Sequence, residues 1–123
     1  MTFLAISIGA ILGANLRYLV GAWIAARTPG TFPWATIAIN VAGSFALGLV
    51  LALTMERELG PWWVRPAVGI GFLGSFTTFS AFSAETVALL EQGDATGALL
   101  NVALSVGVCV AGAALGLAVG RAL

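Results

Sequence analysis

The long charge-free intervals constrain this chain more than any motif in it. Between Arg27 and Glu56 lie 28 residues without a charge, between Arg65 and Glu85 there are 19, and between Asp94 and Arg121 there are 26. Residues 1–26 form a fourth apolar block, interrupted only by Arg17. About 20 residues at 1.5 Å rise cross the hydrocarbon of a bilayer, so each interval is long enough for a transmembrane helix. The expected fold is therefore an all-α membrane protein, a single domain of four transmembrane helices over residues of about 3–26, 34–55, 64–90 and 97–122. No room is left for a separate soluble domain.

Composition excludes most other classes. Of 123 residues, 60% are hydrophobic and 8% charged, where a soluble domain carries roughly a quarter charged. Five Arg balance five acidic residues, with no Lys and no His, so there is no basic surface for nucleic acid. The missing His and the single Cys109 leave neither a zinc or iron cluster nor a nucleophile paired with imidazole. An enzyme is not expected. The first apolar block has no basic segment before it and runs past Asn15 and Arg17 without a small-residue cleavage site, which reads as a retained helix rather than a signal peptide.

The connections fit four spans. Thr28-Pro29-Gly30-Thr31-Phe32-Pro33 and Glu56-Arg57-Glu58-Leu59-Gly60-Pro61 oppose helix continuation. Trp23, Trp34, Trp62 and Trp63 flank these loops, where amphipathic rings favour the headgroup level. The side holding both termini and the second loop carries Arg57, Arg65 and Arg121 against Arg27 opposite. This leans towards cytoplasmic termini, but so small a bias specifies orientation poorly and leaves both insertions open. No internal repeat is present, so inverted symmetry requires two chains.

Polar residues within the spans need a partner or a function. Arg17 reads either as snorkelling to the interface or as standing at the mouth of an anion path. Thr36, Asn40 and Ser44 recur every fourth residue and share one face of helix 2, as a hydrogen-bonding stripe or as a pore lining with the Asn40 amide donating to an anion. Asn101, Ser105 and Cys109 repeat that spacing on helix 4, followed by Gly112, Gly116 and Gly120, which suit close helix packing. Gly69 to Gly74 spell G-x-G-x-x-G, but a dinucleotide fingerprint needs a preceding strand in a βαβ unit, and this one lies in an apolar span. Those glycines, followed by Ser75, Thr77 and Thr78, instead suggest either a helix broken near its centre, whose freed groups hydroxyls can satisfy and whose carbonyls can coordinate a cation, or an unbroken helix that packs through its glycines. Phe79 and Phe82 share a face, with Ser83 and Thr86 nearby. Aromatic residues so spaced usually face lipid or core, but their positive ring edges can also assist a small anion. Glu85 reads as a carrier group or as a structural acceptor.

These residues resemble the Fluc (CrcB-type) fluoride channels of microbes. The resemblance runs the length of the chain, through G-A-N-L-R-Y at Gly13 to Tyr18, N-V-A-G-S-F at Asn40 to Phe45, and above all G-F-L-G-S-F-T-T-F-S-A-F-S at Gly71 to Ser83. It implies a passive, fluoride-selective channel of the inner or plasma membrane through which fluoride leaves the cell. It also implies an antiparallel, dual-topology homodimer in membrane lipid, with two pores. By motif, Asn40, Phe79, Phe82 and Ser105 match pore residues, with Thr78 and Ser83 as further hydroxyls. Arg17 and Glu85 match the vestibule and its polar support. Gly74 and Thr77 match positions whose backbone carbonyls hold a structural sodium ion at the dimer centre. Asn101 stands where the family pattern has a Tyr, and Cys109 and Ala113 replace hydroxyls. Two rival readings are a proton-coupled exporter resembling the small multidrug transporters, with Glu85 as its carboxylate, and a non-transporting membrane subunit.

Overall fold

The computed structural model describes all residues, Met1–Leu123, and every regular element in it is helical. Four helices are long and apolar enough to cross a membrane: Thr2–Ala25, Trp34–Glu56, Arg65–Glu91 and Ala95–Ala122. They are the first to fourth spans. Gly30 turns the chain between the first two with φ 112°, and Gly93 between the last two with φ 79°, a backbone region that costs glycine nothing. The Asp94 carboxylate then accepts the Gly97 N–H at 2.8 Å and caps the fourth span.

Small residues decide which spans meet. The second and fourth pack along each other, the first lies against the opening half of the third, and the closing half of the third reaches the fourth. Gly9 and Gly13 face the backbone of Ala67 and Phe72, while Gly48 and Gly116 face the carbonyls of Ala113 and Phe45. A methyl group at any of these four would overlap a backbone carbonyl. Lipid tails are as apolar as leucine, so spans associate through such close backbone approach rather than through hydrophobic burial. Only Gly9 and Gly13 of the first span are buried, and its large side chains, among them Phe3, Leu4, Ile11 and Leu19, face outward. At one end, Arg121 and Glu56 form a two-pronged ion pair with both bonds at 2.7 Å.

The third span changes winding along its length. Arg65–Leu73 has the wider π geometry, one α turn follows at Gly74–Phe76, and α-helix resumes over Phe79–Glu91. Between them Thr77 (φ −79°, ψ 160°) and Thr78 (φ −152°, ψ 115°) are extended. The glycines therefore do not mark where helical geometry is left. Gly69, Gly71 and Gly74 are helical, and Gly71 packs on the Ile6 carbonyl. The departure falls on two β-branched residues, which tolerate extended backbone well.

Candidate ion pathway

Extending the backbone at Thr77 and Thr78 strips hydrogen bonds from the middle of an apolar span, where each lost partner is costly. Two side chains repair most of the loss. Asn40 on the second span accepts the Thr78 N–H on Oδ1 at 2.7 Å and donates from Nδ2 to the Thr78 carbonyl at 3.0 Å. Its amide thus pairs with Thr78 as another peptide group would. The Thr78 hydroxyl accepts the Ala81 N–H at 3.2 Å and caps the resumed helix. In an unbroken helix the Thr78 and Ala81 N–H groups would go to the carbonyls of Gly74 and Thr77. Arg17 Nη1 stands 3.5 Å from the Thr77 carbonyl, at the long limit of a hydrogen bond, and the Thr77 hydroxyl donates to the Leu73 carbonyl at 3.0 Å.

Two clefts open on either side of this point. The smaller, of about 350 Å³, is lined by Asn40, Ser44, Thr77, Thr78, Phe79, Phe82, Ser105 and Cys109 with a few apolar neighbours. It contains no charged side chain. Phe79 and Phe82 meet there with ring centroids 5.2 Å apart and planes at 51°, so the edge of one ring tilts towards the face of the other. Their surroundings differ: Phe82 is 8% exposed and Phe79 is 77% exposed. The larger cleft, of about 730 Å³, holds Arg17, Tyr18, Thr36, Thr78, Ser80 and Glu85. Glu85 Oε1 accepts the Thr36 hydroxyl at 2.7 Å, and Glu85 Oε2 is buried without a partner.

Most residues singled out from sequence therefore gather at the interruption, but in two groups. Asn40, Thr78, Phe79, Phe82 and Ser105 share the small cleft, with Thr77 among them. Arg17 and Glu85 share the larger one, and Thr78 lines both. Ser83 stands outside both clefts, its hydroxyl donating to the Phe79 carbonyl at 2.9 Å. Gly74 is exposed, and a methyl group there would meet only the Gly69 carbonyl at 3.9 Å. Sequence reasoning missed Ser80, which lies in the larger cleft with Thr78; it named Thr78 among the hydroxyls able to satisfy freed backbone groups, but not the Ala81 N–H as the group it caps. A Thr just before a resumed helix was the available signal.

A family model described as "CrcB-like protein, Camphor Resistance (CrcB)" matches residues 4–117. The chain belongs to the CrcB-like family. Relatives carrying the name "Fluoride-specific ion channel FluC" align along nearly all of it. That of Bordetella petrii is 46% identical over 123 residues, covering 100% of this chain and 94% of the relative. That of Roseiflexus sp. is 44% identical, covering 100% and 99%; that of Geobacter sulfurreducens is 42% identical, covering 99% and 98%. CrcB-like proteins are thus a channel family rather than an enzyme family, and the relatives' name does not favour a multidrug exporter.

Proposed function

We propose that this CrcB-like chain is a passive, fluoride-selective channel of the microbial inner or plasma membrane, which lets fluoride leave the cell and lowers cytoplasmic fluoride. The observation that carries this reading is the uncharged small cleft, in a chain whose relatives are named as fluoride-specific channels. Fluoride is small and strongly hydrated, so a path for it must replace water with fixed donors while holding it weakly enough to let it go. Asn40 uses one amide hydrogen on the Thr78 carbonyl and has a second to offer. Ser105 adds a hydroxyl, and Phe79 and Phe82 add positive ring edges. A fixed cation in the cleft would trap fluoride, and none lines it.

The working unit in this proposal is an antiparallel homodimer of chains inserted in both orientations. Support comes from Phe79, which lines the small cleft and yet is 77% exposed in the single chain, so the cleft is left open on that side. The chain has no cluster of His, Cys, Asp or Glu for a metal ion, so backbone oxygens would have to hold the structural sodium. Gly74 and Thr77 fit that group once the Arg17 guanidinium, only 3.5 Å from the Thr77 carbonyl, gives up that oxygen. Their usual helical donors are diverted to Asn40 and to the Thr78 hydroxyl, and neutral carbonyl oxygens suit a hard cation. Bound there, sodium would tie the interruptions of two chains together by ion–dipole attraction.

Fluoride release from potassium-loaded liposomes, followed with a fluoride electrode after a potassium ionophore is added to balance the charge and with chloride release measured in parallel, tests the function. Fast fluoride release with negligible chloride release, lost in Phe79→Ile or Phe82→Ile, is the expected result. Inserted, folded protein that releases no fluoride would overturn it.

A further inference from the structure

The most deeply buried polar side chain lies beside the cleft rather than in it. Asn101 is 0% exposed, and a buried amide must find its partners inside the protein. It does so within one directed chain of hydrogen bonds. Thr86 Oγ1 donates to the Phe82 carbonyl at 2.7 Å, Asn101 Nδ2 donates to Thr86 Oγ1 at 2.9 Å, and Ser105 Oγ donates to Asn101 Oδ1 at 3.2 Å. The direction is fixed by chemistry, because carbonyl and amide oxygens only accept and an amide nitrogen only donates.

The consequence falls on Ser105. Its side chain lines the small cleft, yet its one hydrogen is held by Asn101. At rest it presents lone pairs to the cleft, the wrong end of a hydroxyl for an anion. An anion obtains the hydrogen by outcompeting Asn101 Oδ1, and the bond to be broken is the longest of the three. Without Asn101 the hydroxyl would turn to the carbonyl one turn back in its own helix, as serines in helices do.

We infer that Asn101 is a positioning residue: with Thr86 it holds the Ser105 hydrogen on a neutral acceptor near the cleft, from which a small anion that accepts hydrogen bonds strongly turns it, the proton staying on the serine oxygen. This rests on the channel reading above.

The test is a cycle of electrode-followed fluoride release with Asn101→Leu, Ser105→Ala and the double variant, together with Thr86→Val and Thr86→Ser. Asn101→Leu and Ser105→Ala are each expected to slow release about fivefold, the worth of one ordinary hydrogen bond. The double variant should be no slower than Ser105→Ala alone, since Asn101 acts through that hydroxyl. Thr86→Val should slow release likewise, and Thr86→Ser should restore it. If Asn101→Leu does not yield folded protein, Thr86→Val takes its place in the cycle. Losses that multiply in the double variant would mean that Asn101 only braces the third span against the fourth, and would overturn this inference alone. So would unchanged release in both Asn101→Leu and Thr86→Val. Unsubstituted protein that releases no fluoride would overturn the channel reading and this inference with it.

Discussion

The Asn40 amide takes the place of a missing stretch of helical hydrogen bonding. It meets both the N–H and the carbonyl of Thr78, at 2.7 and 3.0 Å, so its two jobs can be separated chemically. Asn40→Asp keeps an acceptor for the N–H but sets an oxygen against the Thr78 carbonyl. The expected cost exceeds about 1–3 kcal/mol, that of a neutral buried group left unpartnered, because the carboxylate also brings a charge into an apolar span; it is measured as a shift in unfolding of the purified protein in detergent. An unchanged unfolding transition would show that the clamp is not needed. The phenylalanine pair separates in another way. Phe82 is 8% exposed and Phe79 77% exposed, so Phe82→Ala should lose about 3–5 kcal/mol of stability as a cavity forms. Phe79→Ala should lose little of the single chain's stability, while both abolish fluoride release. Had the two rings only structural roles, release would follow stability instead.

At the scale of the elements, backbone contacts through glycine hold the spans together. Gly116→Ala would press a methyl group onto the Phe45 carbonyl, and overpacking of this kind costs about 1–3 kcal/mol. Gly21→Ala would meet only the Ile39 Cδ1 at 3.7 Å, an ordinary contact, and should be tolerated. Equal unfolding transitions for the two variants would contradict this packing. The four apolar spans were legible because charge placement measures bilayer thickness directly. The winding of the third span was not. Its glycines signal flexibility, but the extended backbone falls at Thr77 and Thr78, because the stabilising partners come from elsewhere: Asn40 lies 38 residues away from Thr78. Local propensity carries no record of such a partner. The regular spacing of Thr36, Asn40 and Ser44 gave one face of a helix, yet Thr36 binds Glu85 on one side of the interruption while Asn40 and Ser44 line the other. A stripe in sequence therefore divided between two clefts, since a neighbouring span crosses it.

At the scale of the whole molecule, the proposal adds a second copy of the chain. Nothing within the single chain crowds Gly74, where a methyl group would meet only a carbonyl at 3.9 Å. If its carbonyl belongs to a sodium site shared by two chains, replacing sodium with an organic cation throughout preparation should abolish fluoride release and weaken the dimer seen by chemical cross-linking. Release and cross-linking indifferent to sodium would remove the ion from the account. Insertion in both orientations predicts that a single cysteine placed in the loop around Gly30, in a Cys109→Ser background, reacts from both faces of the membrane. Labelling from one face only would contradict dual topology. The central claim, passive and selective fluoride conduction, is tested most directly by the reversal potential of the purified protein in a planar bilayer, under a tenfold fluoride gradient with equal chloride on both sides. The account predicts a reversal potential at the fluoride equilibrium value, about 59 mV in magnitude for one charge, and unaffected by a proton gradient. A current that reverses near zero, or one that follows the proton gradient, would contradict it.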